Sequence, residues 1–186
     1  IFENGYDTPL DTWDEVFPET AAMTRACAYD HLGVGGSDFI PVDAGVRTTR
    51  DQVDELHQLL QIAEIEPPYI FVGHSNGGYN QLLYTLYYPE EVLAHVMLDT
   101  YHPEFVKPYF QSGQRIGGER LDRYTSSLQV EELTTLGDRP LVVITADHPD
   151  GEVAFPGRVW MPLQEQYATL SSNSRYIVTD SSAHDI

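Results

Sequence analysis

Two periods alternate in the apolar positions of this 186-residue chain. Short apolar runs at Ile1 to Glu3, Thr24 to Tyr29, Tyr69 to Val72, His95 to Leu98, Leu141 to Thr145 and Arg175 to Thr179 have the length of buried strands. Between the second and third runs, Val53, Leu56, Leu60 and Ala63 recur at three- and four-residue steps, which predicts a helix with one buried face over Thr49 to Ala63. Pro67-Pro68 ends that crossover before the next strand. Helical spacing returns over Tyr79 to Tyr88 and again from about Met161 to Leu170. Six strands alternating with helices predict a mainly parallel sheet covered on both faces.

One junction in this pattern carries chemistry. Tyr69 to Gly78 reads YIFVGHSNGG, an apolar strand running into Gly73-His74-Ser75-Asn76-Gly77 and straight on into a helix. The G-x-S-x-G spacing is that of a nucleophile elbow, in which a serine sits on a strained strand-to-helix turn and the residues two before and two after must be small enough for backbones to pass. The turn lifts the Ser75 hydroxyl above the sheet edge, and the helix that follows points its N-terminal amides at the same space, where they favour an anionic intermediate. The same five residues could also form an inert glycine turn, and the partners of Ser75 decide between the two.

With its strand and helix in place, the elbow resembles that of the α/β-hydrolase superfamily, and the likeness extends along most of the chain. Ile1-Phe2-Glu3-Asn4-Gly5-Tyr6 resembles the end of the family's third strand and its oxyanion loop, which implies that Tyr6 and Asn76 supply backbone amides to an oxyanion hole. Arg25 to Asp30 followed by His31-Leu32-Gly33-Val34-Gly35-Gly36-Ser37-Asp38 is similar to the next strand and its D-x-x-G-x-G-x-S turn, and Ser171 to His184 resembles the last strand and histidine loop of bacterial serine esterases. The family's sheet begins with two strands that would precede Ile1 and usually closes with a helix after the histidine loop. The resemblance therefore implies an α/β-hydrolase fold, a mainly parallel sheet flanked by helices, lacking its first strands and last helix, whether as a fragment, a cleaved form or a small natural variant.

A serine hydroxyl is a weak nucleophile unless an imidazole takes its proton and a carboxylate fixes the imidazole's tautomer. His184 is the expected base, since in the family's chain order the histidine follows both serine and acid. His74, inside the elbow, is expected to pack beside the nucleophile. His31, His57, His95, His102 and His148 belong to no constellation visible in the sequence. Asp99, at the end of Val96-Met97-Leu98-Asp99, is the preferred acid because open α/β sheets bind ligands at the carboxyl ends of their strands. Asp150 and then Asp147, after the following strand, are the alternatives, at the position the family uses more often. No H-E-x-x-H or paired-cysteine spacing supports zinc, and no G-x-G-x-x-G follows a strand, so no metal or cofactor is expected.

Composition narrows the classes that remain. Length and 41% hydrophobic content suit one domain over residues 1–186. No apolar run approaches the roughly 18 residues of a membrane span, and the single cysteine, Cys27, in an apolar run, is expected to be a buried, inert thiol. The expected compartment is the cytoplasm. Acidic residues outnumber basic ones 29 to 10, Lys107 is the only lysine, and the formal net charge is -19, which disfavours nucleic acid and anionic lipid as partners. Such acidity fits either adaptation to high salt or simply an acidic soluble surface, and an acidic entrance to the site would favour neutral or cationic substrates.

The segment from Thr100 to Asp138 is too long for a simple crossover and holds Tyr101, Phe105, Tyr109, Phe110 and Tyr124. It lies where the family inserts a cap, which would shape an apolar pocket for small to medium esters, although the same aromatics could serve only to pack the sheet. The expected function is a serine carboxylesterase acting on a small-molecule ester through an acyl-enzyme. The alternatives are the same fold acting on another bond, as C–C hydrolases, amidases or cofactor-free haloperoxidases do, and a catalytically weak ligand-binding relative. Natural substrate and oligomeric state are not legible.

Overall fold

The computed structural model of the chain describes residues 1–41, 43–115, 117–147, 157–180 and 184. Five strands form one fully parallel sheet: β1 (Phe2–Glu3), β2 (Tyr69–His74), β3 (Val92–Leu98), β4 (Leu141–Ala146) and β5 (Ser174–Thr179), paired in that order. Parallel neighbours need long connections, and helices supply them: α1 (Phe17–Met23), α2 (Thr49–Ile62), α3 (Gly77–Tyr87), α4 (Pro103–Val106), α5 (Arg123–Val130) and α6 (Gly157–Ala168).

α2 starts where Thr48 donates its backbone N–H to the Asp51 carboxylate at 2.8 Å, which satisfies one of the chain groups a helix start leaves open. Its apolar stripe, Val53, Leu56 and Leu60, packs with Tyr69, Phe71, Leu83, Tyr84 and Val92 in one core cluster. Ala63, placed by periodicity on the same face, lies just past the helix end and is exposed. A second cluster joins Tyr79 and Leu82 of α3 to Met97, Leu141 and Val143 of the sheet, and takes in Val106, Val130, Leu136 and Tyr167. α3 therefore lies between two cores. This is why it is buried nearly all round instead of amphipathic.

Three expectations change. Thr24 to Tyr29 is not a strand: its pairing reduces to a single bridge between Ala28 and Phe2, with the Phe2 N–H donated to the Cys27 carbonyl at 2.8 Å. The cause is that β1 offers only two residues, so a neighbour finds one rung. Cys27 is partly buried, not fully. α6 starts four residues earlier than Met161, with Pro162 inside it. The turn after Asp30 forms as its motif implies, with the Asp30 carboxylate accepting the N–H of Leu10 at 2.7 Å and of Gly36 at 2.8 Å.

Candidate active site

The sheet delivers the chemistry to one edge. Register pairs His74 with Leu98, Leu98 with Ile144 and Ala146 with Thr179, so β2 to β5 end side by side. The ladder then runs on past the strands: the Ser75 N–H donates to the Leu98 carbonyl at 2.9 Å, the Asp99 N–H to the Ile144 carbonyl at 2.8 Å and the Tyr101 N–H to the Ser75 carbonyl at 3.2 Å. Ser75 and Asp99 are thus fixed by backbone bonds just beyond the carboxyl ends of β2 and β3.

The elbow is as tight as its glycines imply. A Cβ on Gly73 would lie 2.6 Å from the Gly77 carbonyl oxygen, and one on Gly77 would lie 2.1 Å from that of Glu3. Ser75 itself has φ 53°, in the left-handed region that costs a non-glycine residue about 1–3 kcal/mol. Its side chain is almost fully buried, directly before α3.

Ser75 Oγ lies 2.9 Å from His184 Nε2, and His184 Nδ1 lies 2.6 Å from Asp99 Oδ2. The fully buried Asp99 carboxylate sets the tautomer: Nδ1 donates to it, which leaves Nε2 to accept from the serine hydroxyl. The other oxygen, Asp99 Oδ1, accepts from the Thr145 hydroxyl at 2.7 Å, the Trp160 indole N–H at 2.8 Å and the Ala146 N–H at 3.1 Å. Three donors beside the imidazole hold that carboxylate in one orientation. His74 donates from Nε2 to the His184 carbonyl at 2.7 Å, tying the elbow to the histidine's backbone. Tyr101 and Trp160 flank the imidazole, with ring centroids 5.7 and 5.9 Å from it.

Of the alternative acids, Asp147 is exposed at the end of β4, its N–H donated to the Thr179 carbonyl, and Asp150 lies outside the described residues. Asn76 opens α3, and Tyr6 lies in the turn after β1. Gly5, just before Tyr6, is close-packed on the site, since a Cβ there would lie 3.5 Å from Ser75 Cβ.

That turn rests on a buried polar network the sequence did not disclose. His31 sits between two carboxylates, with Nε2 3.3 Å from Glu3 Oε2 and Nδ1 3.1 Å from Glu119 Oε1. Burial alone would depress its pKa, but hydrogen bonds and charge from Glu119 and Glu3 outweigh burial and push it up to about 10. Glu119 also accepts the Asp7 N–H at 3.1 Å and the Gln52 amide at 2.9 Å, while Glu3 accepts the Asn80 amide at 2.8 Å. Asp7 answers with both oxygens, accepting the N–H of Gly118 at 3.0 Å and of Glu119 at 3.2 Å. His31 therefore has a constellation after all. Its partners are 28 and 88 positions away, where no spacing rule reaches.

The remaining described histidines have local structural partners. His57 stacks on Tyr88 at 3.9 Å, and His102 caps α4 by accepting the Glu104 N–H. His95 contacts Gln81 and Thr85, and burial lowers its pKa to about 3, so it stays neutral. Among the described residues, no group of three His, Cys, Asp or Glu side chains could hold a metal ion, and no helix is long and apolar enough to cross a membrane.

A family model described as alpha/beta hydrolase fold matches residues 2–122, more than half of the chain. The uncharacterized protein YqjL of Bacillus subtilis is 27% identical over 197 residues, an alignment that takes in 100% of this chain and 76% of YqjL. Among solved structures, an esterase from Thermogutta terrifontis superposes with a TM-score of 0.73 at 16% identity, covering 99% of this chain and 81% of its own. Est816, described as an N-acyl homoserine lactone degrading enzyme, superposes with a TM-score of 0.70 at 12% identity, covering 99% and 85%.

Proposed function

Because the chain belongs to the alpha/beta hydrolase fold family, we propose that it is a serine hydrolase that cleaves small to medium carboxylic esters through an acyl-enzyme. The reading is carried by one observation, the relay from Ser75 Oγ to His184 Nε2 at 2.9 Å and from His184 Nδ1 to Asp99 at 2.6 Å. In this reading His184 takes the Ser75 proton as the serine oxygen attacks the ester carbonyl, and Asp99 stabilises the imidazolium that results. The oxyanion is held by the backbone N–H groups of Asn76 and Tyr6. His184 then returns its proton to the departing alcohol. Water, deprotonated by the same imidazole, opens the acyl-enzyme and frees the carboxylic acid.

Asp99 is preferred to Asp147 because the imidazole already donates to it and because three further donors fix it. Residues 100–138, with α4 and α5, serve as the cap of a single domain; Phe105, from this segment, packs edge-on against Trp160 at 4.9 Å, beside the histidine. A lactone is a cyclic ester and is opened by the same steps, so the lactone-degrading neighbour adds lactones as a second substrate class. A composition with one cysteine calls for no oxidising compartment, which favours the cytoplasm.

The test is hydrolysis of p-nitrophenyl butyrate together with labelling by a fluorophosphonate. Wild type turns over and is labelled at Ser75, and Ser75→Ala loses the label and at least about a thousandfold in kcat. A wild-type chain that neither hydrolyses ester nor takes the label ends the proposal.

A further inference from the structure

Arg123, the first residue of α5, is a buried cation that forms no ion pair among the described residues. Only 9% of its surface is exposed, its Nη2 is wholly enclosed, and among the described residues that nitrogen has no hydrogen-bond partner. Three aromatic rings surround the guanidinium, with its central carbon 4.1 Å from the centroid of Tyr101, 4.5 Å from Phe110 and 5.3 Å from Tyr6. Ring faces offset part of the loss of hydration. They accept no conventional N–H bond, so the in-plane donors of Nη2 still lack an acceptor among the described residues.

The place of this cation matters as much as its isolation. Tyr101 donates its N–H to the Ser75 carbonyl and sets its ring beside His184, and Tyr6 carries one of the two amides assigned to the oxyanion. The Tyr6 hydroxyl is likewise buried and without a partner among the described residues. Arg123, packed on the Tyr101 and Tyr6 rings, is thus one residue removed from the relay. The acidic neighbours do not relieve Arg123 or the Tyr6 hydroxyl: Glu119 is engaged by His31, Gln52 and the Asp7 N–H, and Asp7 by the N–H groups of Gly118 and Glu119.

We propose that Arg123, assisted by the Tyr6 hydroxyl, receives a carboxylate carried by the substrate, so that the preferred esters are anionic ones. A planar, two-oxygen anion is the acceptor that matches a guanidinium fork. The proposal rests on the serine-hydrolase reading and deepens it. It also reverses the preference that the acidic composition implies, because the acidic groups at the surface act through screened solvent while Arg123 acts inside the fold.

The experiment compares anionic esters with neutral isosteres. One series is the mono-p-nitrophenyl esters of straight-chain dicarboxylic acids from succinic to adipic, each beside its methyl diester analogue; the other is 4-carboxyphenyl butyrate beside its methyl ester. In at least one series, wild type favours the anionic member by tenfold or more in kcat/KM, mainly through KM. Arg123→Gln reduces that ratio at least about tenfold, and Arg123→Lys, which keeps the charge but not the fork, restores part of it. A wild-type preference for the neutral member in both series overturns the proposal, as does a ratio unchanged in Arg123→Gln. Calorimetric titration with glutarate separates this failure from that of the hydrolase reading. Glutarate binding that Arg123→Gln abolishes, in a chain that hydrolyses no ester, keeps the carboxylate site and removes the enzyme. Ester turnover with no anionic preference and no glutarate binding does the reverse.

Discussion

Ser75 and Asp99 share a rare property: both are non-glycine residues with positive φ, 53° and 42°, at the first position after a strand. Each gives up about 1–3 kcal/mol to stand there, and the strained turns set the hydroxyl and the carboxylate on either side of one imidazole. Replacing Asp99 by Asn tests what the carboxylate does, since the amide has nearly the same shape yet can donate to Nδ1 and so stabilise the wrong tautomer. The expected result is a fall in kcat of about 10³–10⁴-fold with the circular dichroism spectrum unchanged, and full turnover would transfer the acid's role elsewhere. Ser75 was legible in the sequence because its requirement is local, two glycines whose absent side chains let Gly77 pass Glu3 and Gly73 pass Gly77. Asp99 was legible only as a preference, since a strand end puts an aspartate at the right edge without saying which aspartate faces the histidine. Trp160 and Thr145 were not legible at all. They reach Asp99 through the packing of α6 and the pairing of β4, and a sequence pattern carries neither.

Elements were read best where one period persists. α2 and α3 came within one or two residues, since their apolar spacing and flanking turn residues agree. Thr24 to Tyr29 was misread because it has the composition of a strand but only a two-residue neighbour to pair with. The early start of α6 was hidden by Pro162, which invites a helix boundary at its own position. The His31 network shows the limit of such reading: it joins β1, α2, α3 and the turn at residues 117–119 through side chains that only the finished fold brings together. Its behaviour with pH follows from the direction of the shift. His31 binds its proton more tightly in the folded chain, with a pKa of about 10, than in the unfolded one, where about 6.5 is usual. Its contribution to stability is therefore complete below about pH 6.5 and declines as the pH rises through 10. Urea midpoints measured between pH 6 and pH 10 should fall more steeply for wild type than for His31→Gln. Parallel slopes would show that the buried imidazole carries no extra proton.

Across the whole molecule, a formal charge of -19 on 186 residues opposes compaction. Raising ionic strength from about 0.01 to 0.15 M shortens the screening length from about 30 to 8 Å, and the melting temperature should rise with it by several degrees. A melting temperature that stays flat from low to molar salt would mean that the acidic groups are already spread too far apart to repel. The fold class was legible at this scale because alternation of strand and helix is a global pattern, and the single sheet edge follows from it. Ser75 and His184 meet across 109 positions of sequence. During synthesis on the ribosome, the elbow emerges 109 residues before the imidazole that meets it, so the nascent chain carries the Ser75 hydroxyl without that partner while those residues are added.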